Sequence, residues 1–142
     1  LKACEKAVET LSELGAKRCI FLKVSGPFHS PLLKEAGDKL HQELQSVTIE
    51  NFQIPYVSNV TANYVNEKDQ VKELLTKQVS SAVRFQQSIE RMIADGITTF
   101  VEIGPGNTLS GFLKKINPQI KVLRVEKVAD LDAFMDYYHT AL

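Results

Sequence analysis

The sequence has little that would mark it for nucleic acid, a membrane or a metal. Its 17 basic residues balance 17 acidic ones, so no excess of positive charge favours a nucleic acid or an anionic membrane surface. No apolar run is long enough to span a bilayer, and the three histidines and two cysteines do not stand at metal-ligand spacing. With 142 residues, of which 44% are hydrophobic and 24% charged, the chain suits one soluble globular domain.

Only two cysteines occur, and they have no CxxC spacing. Cys4 lies on the apolar face of a helical pattern and Cys19 lies within an apolar strand pattern, which predicts two buried, inert thiols. Free thiols and the lack of a signal peptide favour the cytoplasm. The chain starts with Leu1 rather than methionine, inside a helical pattern, so we expect a fragment of a longer protein.

Apolar residues at helical and strand spacing divide the chain into alternating elements. Helices are predicted over residues 4–14, 31–45, 69–78, 85–93, 108–116 and 131–138. Strands are predicted over residues 18–24, 54–57, 97–103 and 120–125, and residues 61–67 are typical of a polar turn. Strands that alternate with helices predict an α/β fold with largely parallel strand pairing.

The most informative stretch is Val-Ser-Gly-Pro-Phe-His-Ser-Pro-Leu-Leu, residues 24–33. An apolar strand pattern ends in a Ser-Gly-Pro loop, His29 follows, and Ser30 and Pro31 suit the N-cap and the first position of a helix. His29 therefore falls in a strand-to-helix loop, where α/β enzymes usually place catalytic groups. From these residues alone it is either a general base or a loop histidine that packs near a helix start.

A second motif, Phe-Val-Glu-Ile-Gly-Pro-Gly-Asn-Thr-Leu, occupies residues 100–109. The two motifs, in this order and with the segments 58–62 and 78–85 between them, resemble the malonyl-CoA:acyl carrier protein transacylases of fatty acid synthesis. That family carries its nucleophilic serine in a Gly-x-Ser-x-Gly elbow, which does not occur here. The resemblance therefore implies the C-terminal part of such an enzyme, inactive alone because the serine lies outside this chain.

The resemblance also implies a fold and a division of the chain. The family has a large α/β-hydrolase-like subdomain and a small ferredoxin-like insert. On that basis residues 1–24 would be the last helix and strand of the small ferredoxin-like subdomain. Residues 25–142 would be the C-terminal part of the large subdomain, and the N-terminal part of the same enzyme would be its partner.

By resemblance, His29 is the catalytic base, and its ring is oriented by the backbone carbonyl of Gln78 rather than by a carboxylate. The base would deprotonate the serine that takes the malonyl group from coenzyme A. It would later deprotonate the phosphopantetheine thiol of acyl carrier protein, which receives the group. No metal and no cofactor are implied, since malonyl-CoA is a substrate.

Four further residues and one turn each carry two interpretations. Phe28 goes with malonyl in related acyltransferases, because its ring leaves no room for an extra methyl group, or it is an aromatic packing residue. Asn59 faces the substrate cleft in the family, or it forms a turn. Lys17 and Arg18 dock the acidic carrier protein, or they are two solvated charges. The glycines of residues 104–106 present N–H groups to an anion, or they allow close packing of a turn.

Two alternatives to a stand-alone enzyme stay open at the level of sequence. The chain could be part of the acyltransferase domain of a polyketide or multidomain fatty acid synthase, which a fused carrier domain or ketosynthase linker would favour. It could also belong to a non-catalytic module that binds a carrier protein. A gene without an upstream Gly-His-Ser-x-Gly would favour that second alternative.

Overall fold

The computed structural model describes residues 2–21 and 24–141. It is a mixed structure of helices and short strands, as the alternating pattern predicts, and all six predicted helices are present. The helices are α1 (Lys2–Glu13), α2 (Lys34–Leu44), α3 (Val71–Ser80), α4 (Phe85–Ala94), α5 (Thr108–Ile116) and α6 (Asp130–Ala141). The strands are β1 (Tyr56–Val57), β2 (Tyr64–Val65), β3 (Thr99–Ile103) and β4 (Lys121–Val125), and short 3₁₀ turns at Pro31–Leu33 and Lys68–Gln70 precede α2 and α3.

Strands β3 and β4 form a parallel pair, in register from Thr99 opposite Lys121 to Ile103 opposite Val125. Helix α5 connects them, as a parallel pair requires. Their hydrophobic core consists of Ile89 on α4, Leu113 on α5 and Ile120 just before β4. None of the described helices is both long and apolar enough to cross a membrane.

Strands β1 and β2 form a second, antiparallel pair, with Tyr56 opposite Val65 and Val57 opposite Tyr64. The sequence predicts the first of these strands but places the second in a polar turn. Strand β2 has two residues, which is too short for an alternating pattern to be visible. Val65 is nevertheless 1% exposed, so this short strand is part of the core.

The strand predicted over residues 18–24 is not present in its described part. Residues 18–21 and Val24 have no strand conformation, while Leu22 and Lys23 lie outside the described residues. Ile20 is 61% exposed and Phe21 is 51% exposed. A strand needs a neighbour for its backbone hydrogen bonds, and the described residues pair none with this segment.

Helix α1 forms but buries nothing among the described residues. The prediction of two buried thiols is therefore wrong for Cys4, which is exposed on this helix, and Cys19 is only half-buried. Both cysteines are free. An apolar stripe can specify a helix and still lack a surface to pack against.

Candidate active site

His29 lies in the loop that leads into α2, with its backbone in the left-handed region at φ 57°. This conformation is uncommon for a residue with a Cβ, and such residues cluster where the surrounding structure fixes a functional side chain. Ser30 holds the predicted N-cap position and Pro31 the first position of the 3₁₀ turn. The Ser30 hydroxyl does not cap the turn; it donates to the carbonyl oxygen of Pro27 at 2.7 Å and closes the loop instead.

The ring of His29 contacts the end of helix α3. Its Nδ1 atom lies 2.9 Å from the backbone carbonyl oxygen of Gln78. A carbonyl oxygen only accepts hydrogen bonds, so this contact requires the proton on Nδ1. In the neutral ring the lone pair of Nε2 is then free, and that nitrogen is able to take a proton from a substrate or a nucleophile.

The Gln78 carbonyl is available because α3 ends close behind it. Within a helix this oxygen would accept a hydrogen bond from the N–H of residue 82, but Ser81 is extended, with φ −116° and ψ 152°. Among the described residues, the Gln78 carbonyl oxygen accepts a backbone hydrogen bond only from the N–H of Ser81, at 3.5 Å, and at that distance the bond is weak. The peptide rather than the Gln78 side chain thus makes the contact with His29.

Helices α2 and α3 approach closely beside this hydrogen bond. Gly37 is buried in α2, and a Cβ atom there would lie 3.1 Å from the carbonyl oxygen of Thr76 and 3.7 Å from the Cβ of Val79. His29 and Gln78 line a mostly apolar hollow with Leu40, Leu75 and Val79. The packing of the two helices therefore fixes the distance between the ring and its acceptor.

The other predicted site residues are not joined to this pair. Phe28 is exposed beside His29, with its ring against Gly26. Asn59 is half-buried in a turn, and its carbonyl oxygen accepts a hydrogen bond from the Arg84 N–H at 2.9 Å. Lys17 and Arg18 are exposed in the segment after α1. Among the described residues, no hydrogen bond or ion pair links these four residues to His29.

Comparison with known proteins decides the family. A family model described as "Acyl transferase domain" matches residues 2–130 of the chain. The chain belongs to this family. Over 124 residues it is 49% identical to the malonyl CoA-acyl carrier protein transacylase of Bacillus subtilis, a match that covers 87% of this chain and 39% of that protein.

Solved structures show the same relationship. The crystal structure of malonyl CoA-acyl carrier protein transacylase from Clostridium perfringens matches with a TM-score of 0.88 and 43% identity, over 98% of this chain and 44% of that one. A malonyl-transacylase in complex with its type II PKS acyl-carrier protein matches with a TM-score of 0.85 and 32% identity, over 93% and 43%. This acyl transferase chain thus spans about 40% of the length of these relatives.

Sequence reasoning did not assign a role to Glu102, which this acyl transferase chain uses to cap α5. Its carboxylate accepts hydrogen bonds from the N–H groups of Leu109 at 3.1 Å and Ser110 at 2.9 Å, and from the Ser110 hydroxyl. These bonds, led by the Ser110 hydroxyl and aided by the charge of Arg124, lower the pKa of Glu102 below its usual range. The sequence signal that could have identified this cap is a glutamate near the end of a strand, followed by a glycine turn and the start of a helix.

The glycines of the turn serve its backbone conformation. Gly104 has φ 133° and Gly106 has φ 89°, and a Cβ at either position would meet nothing within 4 Å. Close packing is therefore the wrong explanation for them, and their positive φ values are what favour glycine at these positions. The Gly104 N–H donates to the Val125 carbonyl oxygen at 3.0 Å, and the Leu109 and Ser110 N–H groups at the start of α5 bind Glu102, so these three donors are already engaged within the chain. Within the described part of the chain, no cluster of side chains could hold a metal ion.

Proposed function

We propose that this chain is the base-carrying part of a malonyl-CoA:acyl carrier protein transacylase of fatty acid synthesis. The observation that supports this most strongly is the 2.9 Å contact between His29 Nδ1 and the Gln78 carbonyl oxygen. It gives a histidine in an exposed loop a defined tautomer and a free Nε2 lone pair. The names of the similar proteins supply the reaction and its two substrates.

In this mechanism His29 carries protons in both half-reactions. Nε2 takes the proton of a serine hydroxyl from the N-terminal part of the enzyme as the serine oxygen attacks the malonyl thioester. The proton then passes to the coenzyme A thiolate as the carbon–sulfur bond breaks. In the second half-reaction Nε2 takes the proton of the phosphopantetheine thiol, whose sulfur attacks the malonyl-serine ester. The proton returns to the serine oxygen, and the enzyme is regenerated.

Phe28 and Asn59 are proposed to border the substrate. The ring of Phe28 is exposed next to the base, where it would limit the space beside the carboxylate-bearing carbon of the malonyl group. One methyl group changes discrimination by only about 1–3 kcal/mol, so this is a preference for malonyl over methylmalonyl. Asn59 lies on the turn after β1 and would face the cleft with its side chain.

Lys17 and Arg18 are proposed to contact the acidic carrier protein. Both side chains are exposed, and no ion pair engages either of them within the described residues. Reversing both charges should raise the KM for carrier protein and leave the loading of malonyl from coenzyme A intact, because docking charges act mainly on encounter. An equal fall in both half-reactions would contradict this assignment.

We also propose how this chain fits into the fold of the whole enzyme and in which compartment the enzyme works. Residues 25–142 would complete a large α/β-hydrolase-like subdomain, and residues 1–24 would end a small ferredoxin-like one. The remaining part of the enzyme would supply the nucleophile and pair with the exposed Ile20 and Phe21. The free cysteines, Cys4 and Cys19, suit a reducing compartment such as the cytoplasm.

The test is covalent loading of the full-length gene product with malonyl-CoA, followed by intact mass. The wild type should gain one malonyl group quickly, and His29→Ala should gain it slowly or not at all. His139→Ala is the matched control, because His139 is exposed on α6 and has no role in this mechanism. No adduct in the wild type would reject the enzyme assignment, and equal rates in both variants would reject His29 as the base.

A further inference from the structure

We propose that Ser58 is a positioning residue for His29: it shapes the turn that holds the segment between α3 and α4, and the position of that segment leaves the Gln78 carbonyl open to the His29 ring. This inference rests on the proposed role of His29 as base. It assigns Ser58 no contact with substrate.

Nothing in the local sequence stops α3 where it ends. No glycine and no proline lies between residues 71 and 95, although two separate helices occupy that stretch. Helices commonly end at a glycine or before a proline, and Ala82 is among the best helix formers. The break between α3 and α4 must therefore be imposed by a contact from elsewhere in the fold.

The structure supplies one such contact. The Arg84 N–H donates to the carbonyl oxygen of Asn59 at 2.9 Å. This bond holds the segment between the two helices, in which Ser81 is extended. The bond connects that segment to the turn that follows β1, so the segment does not continue helix α3.

Ser58 builds the turn that presents the Asn59 carbonyl. Its side chain is 3% exposed, and its hydroxyl oxygen accepts a hydrogen bond from the Val60 N–H at 3.2 Å. Its own N–H donates to the Asn63 carbonyl at 3.0 Å, and its carbonyl accepts from the Ala62 N–H at 2.8 Å. A serine that bonds to the N–H two residues on is a common way to fix a tight turn.

Losing this turn would free the end of α3 to extend. Ala82 still has an N–H, and one more turn of helix would direct it at the Gln78 carbonyl. That donor would then compete with His29 Nδ1 for the same oxygen. Ser58 thus preserves the acceptor that sets the tautomer of the base.

The experiment uses the full-length gene product and two readouts, the rate of malonyl loading and the NMR signal of the His29 Nδ1 proton. Ser58→Ala should slow loading about threefold to tenfold, the scale of one hydrogen bond, and weaken the Nδ1 signal. Ser110→Ala is the matched control, because Ser110 is half-buried and its hydroxyl donates to Glu102, outside the contacts that run from Ser58 to Arg84. It should leave both readouts at wild-type values.

A rescue separates positioning from general damage. Proline at residue 82 has no N–H to compete for Gln78, and it favours the extended Ser81 already present. The double variant Ser58→Ala with Ala82→Pro should therefore recover both readouts. A loss that Ala82→Pro does not recover, or wild-type readouts in Ser58→Ala, would overturn the proposal.

Two further outcomes are also decisive. If Ser58→Ala does not fold, Ser58→Cys keeps the volume with a weaker acceptor and should show the same loss and the same rescue. If the wild type takes no malonyl group, the proposed function fails. The Nδ1 signal in the same variants would still decide the positioning role.

Discussion

The C-terminal region, residues 85–141, has a buried core, whereas the N-terminal region, residues 2–21, has none among the described residues. In the C-terminal region two parallel strands and three helices cover one another and bury Ile89, Leu113 and Ile120. In the N-terminal region helix α1 buries no residue and the segment after it forms no strand. Both regions have amphipathic patterns, so the difference lies in the partners that the described residues provide.

An amphipathic pattern gives a helix an apolar face, but that face becomes buried only where a neighbouring element packs against it. Leu11 and Leu14 are exposed on and just after α1, although their spacing matches that of a core helix. Leu113 on α5 has the same chemistry and is buried in a cluster with Ile89 of α4 and Ile120, just before β4. The relatives are more than twice as long as this chain, and their additional residues are where we expect the missing neighbour of the N-terminal region.

Amide exchange should separate the two regions by the largest margin. In the 142-residue chain, Val101 and Leu123 lie in paired strands, whereas Ile20 and Phe21 have no strand partner. Their exchange rates should differ by at least about a thousandfold, because core amides open only with free energies near that of global unfolding. Exchange measured by NMR or mass spectrometry checks this.

The same measurement on the full-length gene product sharpens the comparison. If residues 18–21 pair with a strand from the rest of the enzyme, their amides should become protected while those of β3 and β4 change little. Fast exchange at Ile20 and Phe21 in both proteins would show that the N-terminal region is not part of a sheet.

The same substitution, leucine to alanine, tests the packing of each region when it is made once in the C-terminal region and once in the N-terminal region. Leu113→Ala, at a site 4% exposed, should lower the free energy of unfolding of the chain by about 2–5 kcal/mol. Leu14→Ala, at a site 78% exposed, should change it by less than about 0.5 kcal/mol. Urea denaturation of the two variants measures both. Similar losses at the two sites would contradict the difference between the regions.

We expect a smaller effect on stability from removing the charge of Glu102, which caps α5 in the C-terminal region. Its hydrogen bonds lower the folded-state pKa of Glu102, so its stabilisation is present above the unfolded pKa and is lost as pH falls through the folded one. Glu102→Gln should therefore lower Tm at pH 7, and its difference from wild type should shrink as the pH falls below about 4. Glu43→Gln, an exposed position on α2, is the control and should leave Tm unchanged at each pH. A gap that stays constant with pH would exclude the charge as the cause.

Much of the fold was predictable because its signals are local. Helical periodicity located all six helices, and strong apolar runs located β3 and β4, which find each other within the chain. The absence of a strand in the described part of residues 18–24 could not be predicted from the sequence. A strand forms only beside a neighbouring strand, and the apolar pattern of one segment does not show whether that neighbour is there. Strand β2 was missed because two residues carry no period.

Part of the candidate site was also predictable, because some of its residues belong to local sequence motifs. A motif suffices to select His29 and, through the family resemblance, the Gln78 carbonyl. The contribution of Ser58 depends on where Asn59 and Arg84 meet in space, 25 residues apart in sequence, and no local signal marks it. The cap formed by Glu102 joins residues only seven and eight apart, so its signal was within reach of the sequence.

We propose that the end of α3 fixes the neutral His29 ring with its proton on Nδ1 and its Nε2 lone pair free. The most direct measurement is the pair of ¹⁵N chemical shifts of the His29 ring in the full-length gene product, assigned by the loss of its signals in His29→Asn. We predict a protonated Nδ1 and an unprotonated Nε2 in the neutral ring. A neutral ring with its proton on Nε2 would contradict this proposal, because the Gln78 contact would then have no donor and Nε2 would have no lone pair with which to accept a proton.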